Sequence, residues 1–248
     1  SKYDGENTGS TTMTISGGSS WSSDETLTLT ASVGTFLNPV STDLNDAIVI
    51  TDTAGVKYTL TIEGTSSTTV ATVRTDKLIP AALRGAATTT WSFARNQISG
   101  LSFLEGQTVN ILADGAVHPQ RTVSSGVITL DIPASVVQVG LPITSDLQTL
   151  PVALQMDGFG QGRVKNVNQA FLRVNESSGV FVGPTLDLLT EFKQRTTEPY
   201  GAAPELQSRE LRMSIDPKWT DSAQVFVRQS DPLPITIVNL TLEVAIGG

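Results

Sequence analysis

Apolar residues in this sequence return at every second position in short runs, the spacing of a strand with one covered face, since successive side chains of a strand point to opposite sides. The last run is the clearest, with Val238, Leu240, Leu242, Val244 and Ile246 alternating with Asn239, Thr241, Glu243 and Ala245. Leu27 and Leu29, Ile48 and Ile50, and Val56, Tyr58, Leu60 and Ile62 repeat the pattern earlier. Turn-forming residues separate the runs, as in Thr51-Asp52-Thr53-Ala54-Gly55 and Asp114-Gly115, where Asp bonds its own backbone and Gly accepts positive φ. Charged residues are only 16% of the chain, against about a quarter in an average domain. The reading is an all-β fold with very little helix, a turn or two at Asp76 to Leu83, where Pro80 interrupts. Leu186 to Arg195 fits either period, and strand is preferred.

With 248 residues the chain has room for one large β-domain or two smaller ones. Residues 1–23 are rich in Ser, Thr, Gly and Asn and poor in large apolar groups, which predicts a flexible arm or linker. Residues 24–92 are expected to form a small β-domain and residues 93–248 a second, larger one, the two meeting near residues 92 to 100.

Several kinds of chemistry find no support. The chain has no Cys, which removes disulfides, thiolate metal sites and a cysteine nucleophile. A net charge of −8 argues against a phosphate-binding surface. No run approaches the roughly 18 apolar residues of a membrane span, so no membrane segment is expected. His118 is the only histidine, between Val117 and Pro119, and no Gly-x-Ser-x-Gly elbow accompanies it; it reads as a polar residue on a strand flank. Asp43 and Asp46, Glu191, Glu198, Glu205 and Glu210 are scattered rather than set at a catalytic spacing. Gly158-Phe159-Gly160-Gln161-Gly162 lacks the Gly-Lys-Ser/Thr ending of a phosphate loop. Arg163, Lys165, Arg173, Lys193, Arg195, Arg209 and Arg212 crowd the second half, and alternation puts Arg163 and Lys165 on one strand face, read as a solvated sheet face before an interface patch. The sequons Asn175-Glu176-Ser177 and Asn239-Leu240-Thr241 matter only in a chain secreted by a eukaryote. No catalytic, cofactor-binding or metal residue is assigned, and the chain is not expected to be an enzyme.

Four segments carry a resemblance. Ser99-Gly100-Leu101-Ser102-Phe103-Leu104-Glu105-Gly106-Gln107-Thr108-Val109-Asn110-Ile111-Leu112-Ala113-Asp114-Gly115-Ala116-Val117 resembles a segment of tail proteins from short-tailed bacteriophages. Val139-Gly140-Leu141-Pro142-Ile143-Thr144-Ser145-Asp146-Leu147-Gln148-Thr149-Leu150-Pro151 looks like the same family, tail tubular protein B or the tail nozzle. Thr190-Glu191-Phe192-Lys193-Gln194-Arg195-Thr196 and Val227-Arg228-Gln229-Ser230-Asp231-Pro232-Leu233-Pro234-Ile235-Thr236-Ile237 follow in the family's order. The resemblance covers about residues 91–248 and implies a β-sandwich or barrel-like domain there. Residues 24–90 resemble a small β-barrel-like insertion of some phage proteins, labelled similar to a domain of ubiquitin-activating enzymes; without Cys no thioester chemistry goes with it. Nozzle proteins extend further at the N-terminus, so the sequence stands as a whole subunit, a C-terminal piece of one, or a shorter relative at another tail position.

The resemblance implies a virion protein made in the bacterial host cytoplasm. It would be a homo-oligomeric structural component of the tail tube or nozzle, contacting copies of itself in a hexameric ring and other tail proteins. Such a ring forms part of the conduit for DNA ejection; DNA passes but is not specifically bound, and no cofactor is called for. The alternative is an adhesin-like tail protein whose first β-domain binds a host cell-surface glycan, with Trp21 or Trp91 as a stacking platform.

Overall fold

The computed structural model describes residues 1–38, 43–153, 163–193 and 202–247. It is all-β: the only helical backbone among these residues is two three-residue 3-10 turns, Ala81–Leu83 and Ser102–Leu104. The first lies where the sequence predicts a helix cut short, and Pro80 occupies its N-terminal flank.

Twelve strands run up to Gly140: β1 (Lys2–Asp4), β2 (Met13–Ser16), β3 (Thr26–Ala31), β4 (Ala47–Thr51), β5 (Lys57–Thr65), β6 (Val70–Thr75), β7 (Ala87–Thr88), β8 (Trp91–Ile98), β9 (Thr108–Ala113), β10 (Ala116–Thr122), β11 (Ile128–Ala134) and β12 (Val136–Gly140). Seven follow: β13 (Ser145–Gln148), β14 (Lys165–Val174), β15 (Phe181–Thr185), β16 (Leu188–Glu191), β17 (Glu210–Ser214), β18 (Phe226–Gln229) and β19 (Ile237–Ile246). They form two compact units, residues 1–114 with 118–140, and residues 115–117 with 141–248.

The first unit holds an eight-stranded sheet, β11-β8-β4-β5-β6-β3-β2-β7, and a four-stranded one, β1-β12-β9-β10. Alternation explains its main core: Leu27, Leu29 and Ala31 of β3 and Tyr58, Leu60 and Ile62 of β5 turn inward while the intervening threonines do not. In β4 the pattern is different, because Ile48 and Ile50 enter this core while Ala47 and Val49 are buried with Ala94 on the other face. A second core gathers Leu101, Val109, Ile111, Val123, Ile128, Val137 and their neighbours. The Asp114-Gly115 hairpin takes positive φ at both residues, 48° and 82°, the backbone that two-residue turns require.

Two expectations are corrected here. Residues 1–23 are not an arm: β1 pairs with β12, and β2 lies between β3 and β7 with Met13 and Ile15 fully buried. Two alternating apolar residues suffice on a strand whose other face pairs hydroxyls, Thr14 with Thr30 and Ser16 with Thr28. Nor does a boundary fall between residues 92 and 93, which lie inside β8. That strand lends Trp91 and Phe93 to the main core and Ile98 to the second, and the division of the chain comes at Gly140 and Leu141.

The second unit is a two-layer sandwich. Sheet β13-β18-β15-β16 contributes Val182 and Val227, and sheet β17-β14-β19 contributes Ala170, Leu172, Leu211 and Met213, to one core. The terminal β19 lies in the chain's own sheet, paired with β14 from Ile246↔Lys165 to Ile237↔Val174. Its apolar face, Leu240, Leu242 and Val244, packs on the core while remaining half-buried. Leu188 to Glu191 is a strand, as preferred. Gly158 to Gly162, Arg195 and Glu198 lie outside the described residues.

Candidate functional site

Asp43 and Asp46, three apart before β4, are brought together by a cation about fifty residues away. Arg95 Nη1 lies 3.2 Å from Asp43 Oδ1 and 3.2 Å from Asp46 Oδ2, with both carboxylates buried. Their other oxygens accept backbone N–H bonds, Asp43 from Leu37 at 2.8 Å and Asp46 from Asn96 at 2.7 Å. Arg95 also lies 4.3 Å from the Phe93 ring centroid. Burial pushes the Asp46 carboxyl above its ordinary value, against the pull of the Asn96 N–H and Arg95 and with the help of Asp43. Every carboxylate oxygen in the cluster is satisfied, so its chemistry is that of a structural ion triad. No motif signals Arg95 in the sequence.

His118 is more than a polar flank. Its ring is only 9% exposed, Nε2 accepts the Asp131 N–H at 3.0 Å, and Nδ1 lies 2.8 Å from the Pro119 carbonyl. Those contacts fit the neutral Nδ1–H tautomer, while the Asp131 carboxylate pairs with Arg121 at 2.6 Å. Nε2 ties β10 to β11, Nδ1 is engaged within β10 itself, and among the described residues no hydroxyl nucleophile bonds to either. A further carboxylate, Glu25, accepts bonds from the Ser19 and Ser20 N–H and hydroxyl groups, which lower it to about 2, and also from the Ser22 N–H.

The expected cation pair is split. Arg163 is exposed, whereas Lys165 is buried, its Nζ donating to the Asp221 carbonyl at 2.8 Å. Arg209, just before β17, lies over Phe192, and Arg212 of β17 lies over Phe171, both arginines being exposed. Glu191, Glu205 and Glu210 are exposed. Among the described residues no group of three or more His, Asp or Glu side chains is placed to hold a metal ion, and no helix is long and apolar enough to cross a membrane.

Neither proposed stacking platform is open. Trp91 is a core residue whose Nε1 donates to the Thr11 carbonyl at 2.9 Å. Trp21 packs against the same core, with Arg84 over its ring at 5.3 Å and Gly18 so close that a Cβ there would collide with it. The exposed tryptophan is Trp219, which no periodicity marks.

The surface that stands out is in the second unit. From Leu141 to Gln148 every residue is exposed, including Leu141, Ile143 and Leu147, and Leu150 beyond is 85% exposed. Within this segment β13 pairs with β18, Asp146 opposite Arg228 and Leu147 opposite Val227. Arg228 holds Asp146 through bonds of 2.7 and 2.8 Å, and this lowers the Asp146 carboxyl. A run of large apolar side chains in water is the usual mark of a surface meant to be covered. No protein-family model matches the sequence, and no curated protein is significantly similar to it.

Proposed function

We propose that the chain is a non-enzymatic structural subunit of a bacteriophage tail, a tube- or nozzle-like component that assembles with copies of itself around the path of DNA ejection. One observation carries the reading. Three of the four segments that resemble nozzle proteins supply strands to a single sheet: residues 139–151 give β13, residues 190–196 begin within β16, and residues 227–237 give most of β18. Segments about eighty residues apart pair as Ser145↔Gln229 and Gln148↔Phe226, which supports reading them as parts of one structural unit. The exposed apolar run lies in that unit, where an assembly partner would cover it. A net charge of −8 suits a conduit wall, because fixed cations would bind phosphates and slow a passing duplex.

The test is antibody labelling of virions from the phage whose genome carries this sequence. Label on the tail of intact particles is the expected result; particles whose mass spectrum lacks the chain and which take no label would refute the reading.

A further inference from the structure

Among the described residues the four sheets end in eight outer strands, and most are protected against pairing with another chain. β1 is three residues long with Lys2 and Asp4, β7 has two residues, and β10 contains Pro119. β11 contains Asp131, Pro133 and a register shift between Thr129 and Ala134. β17 carries Glu210 and Arg212, and β19 carries Glu243. Charge, proline, shortness and irregularity are the devices by which natural sheets block edge pairing. The edges β13 and β16 of the second unit have fewer of them. The one charge of β13, Asp146, is already paired with Arg228, and β16 has a single acid at its last position. Both edges carry exposed leucines instead, Leu147 on one and Leu186 and Leu188 at the other. Among the described residues no strand pairs with the outer side of either.

Direction decides what fits these edges. Neighbours in this sheet are all antiparallel, so its four strands leave β13 and β16 running in opposite senses. Setting β16 of one copy beside β13 of the next, with both sheets in the same orientation, therefore continues the antiparallel pattern. The three-stranded sheet β17-β14-β19 has edges of the same sense and would have to continue in parallel. Length agrees as well, since β13 and β16 are both four residues long.

We propose that copies of the chain associate head to tail by antiparallel pairing of β13 in one copy with β16 in the next. This deepens the assembly reading above and rests on its premise that the chain is a subunit. The register follows from the faces. Leu147 stands opposite Val227, Val227 opposite Val182, and Val182 opposite Thr190, so Leu147, Thr190 and therefore Leu188 share the core-side face. Placing Leu147 against Thr190 would set Asp146 against Glu191, a repulsive pair. Shifting by two residues sets Leu147 against Leu188 and Thr144 against Glu191, which joins the apolar side chains and separates the acids. Contacts of this heterologous kind close into a ring when the rotation between copies divides the circle.

The chain's lack of Cys makes a clean test available. Full-length protein is prepared as Leu147→Cys, as Leu188→Cys and as the double variant, oxidised with copper phenanthroline, and resolved on non-reducing gels beside light scattering of each sample. Within one copy the two positions are three strand spacings apart, about 14 Å, too far for an internal disulfide. The proposal expects a ladder of covalent multimers from the double variant, dimers from the two single variants mixed, and neither from a single variant alone. Should the double variant fail to fold, the mixture of single variants still decides. Dimers from one single variant alone would show two-fold edge pairing and overturn the proposal. Oligomers by light scattering without cross-links would overturn these edges as the interface while leaving assembly standing. Monomers without cross-links would overturn both.

Discussion

Arg95 faces two carboxylates that water does not reach, so removing it leaves buried charge without a partner. Arg95→Met keeps an apolar stem and leaves two buried anions uncompensated, a loss of about 3–5 kcal/mol; urea unfolding should show the midpoint fall accordingly, and an unchanged midpoint would mean that the triad is not formed. Asp46 and Glu25 then act with opposite signs on pH. The folded state raises Asp46, so its contribution is present in acid and is lost as pH rises through the raised value. Glu25 is lowered to about 2, so its contribution is present above the ordinary Glu value and is lost as pH falls through about 2. Glu25→Gln should therefore unfold more readily than the parent at neutral pH, with the difference vanishing near pH 2. A constant difference across that range would remove the serine cradle as its cause. None of this was visible in the sequence, because the Asp43, Asp46 and Arg95 side chains meet only when the loop before β4 closes on β8.

At the scale of elements, β19 is where regular alternation and packing agree. Its pairing along the whole of β14 makes it part of the second unit's core layer, although its apolar residues are only half-buried. Leu242→Asp should destabilise that unit by about 2 kcal/mol, since the carboxylate would face Ala170, Leu172 and their neighbours without a partner. Truncation after Leu233 removes the strand altogether, and the cooperative unfolding of residues 141–233 should then be lost. A truncated chain that keeps that transition would contradict the role given to β19. Where burial is one-sided, as in β3, β5 and β19, the period of two was legible. Strand β2 was not, because Met13 and Ile15 are too few to stand out among the hydroxyl residues around them. Strand β8 falls where the sequence predicts a boundary because it serves two cores at once, and no local pattern distinguishes such a strand from the edge of a domain.

For the whole molecule, the apolar residues that matter most to the account are those left uncovered. A sequence shows that Leu141, Ile143, Leu147 and Leu150 are apolar; only the fold shows them in water, because the pairing partner of β13 lies about eighty residues away. Under the proposed function, it is their exposure in the second unit that an assembly partner would cover. The most direct measurement is negative-stain imaging of the purified chain, with its mass followed by light scattering as concentration rises from about 1 to 100 μM, the range in which weak subunit contacts populate. Closed rings with an axial opening, at a mass that is a whole multiple of the subunit, are the predicted result. A chain that stays monomeric across that range would contradict the account.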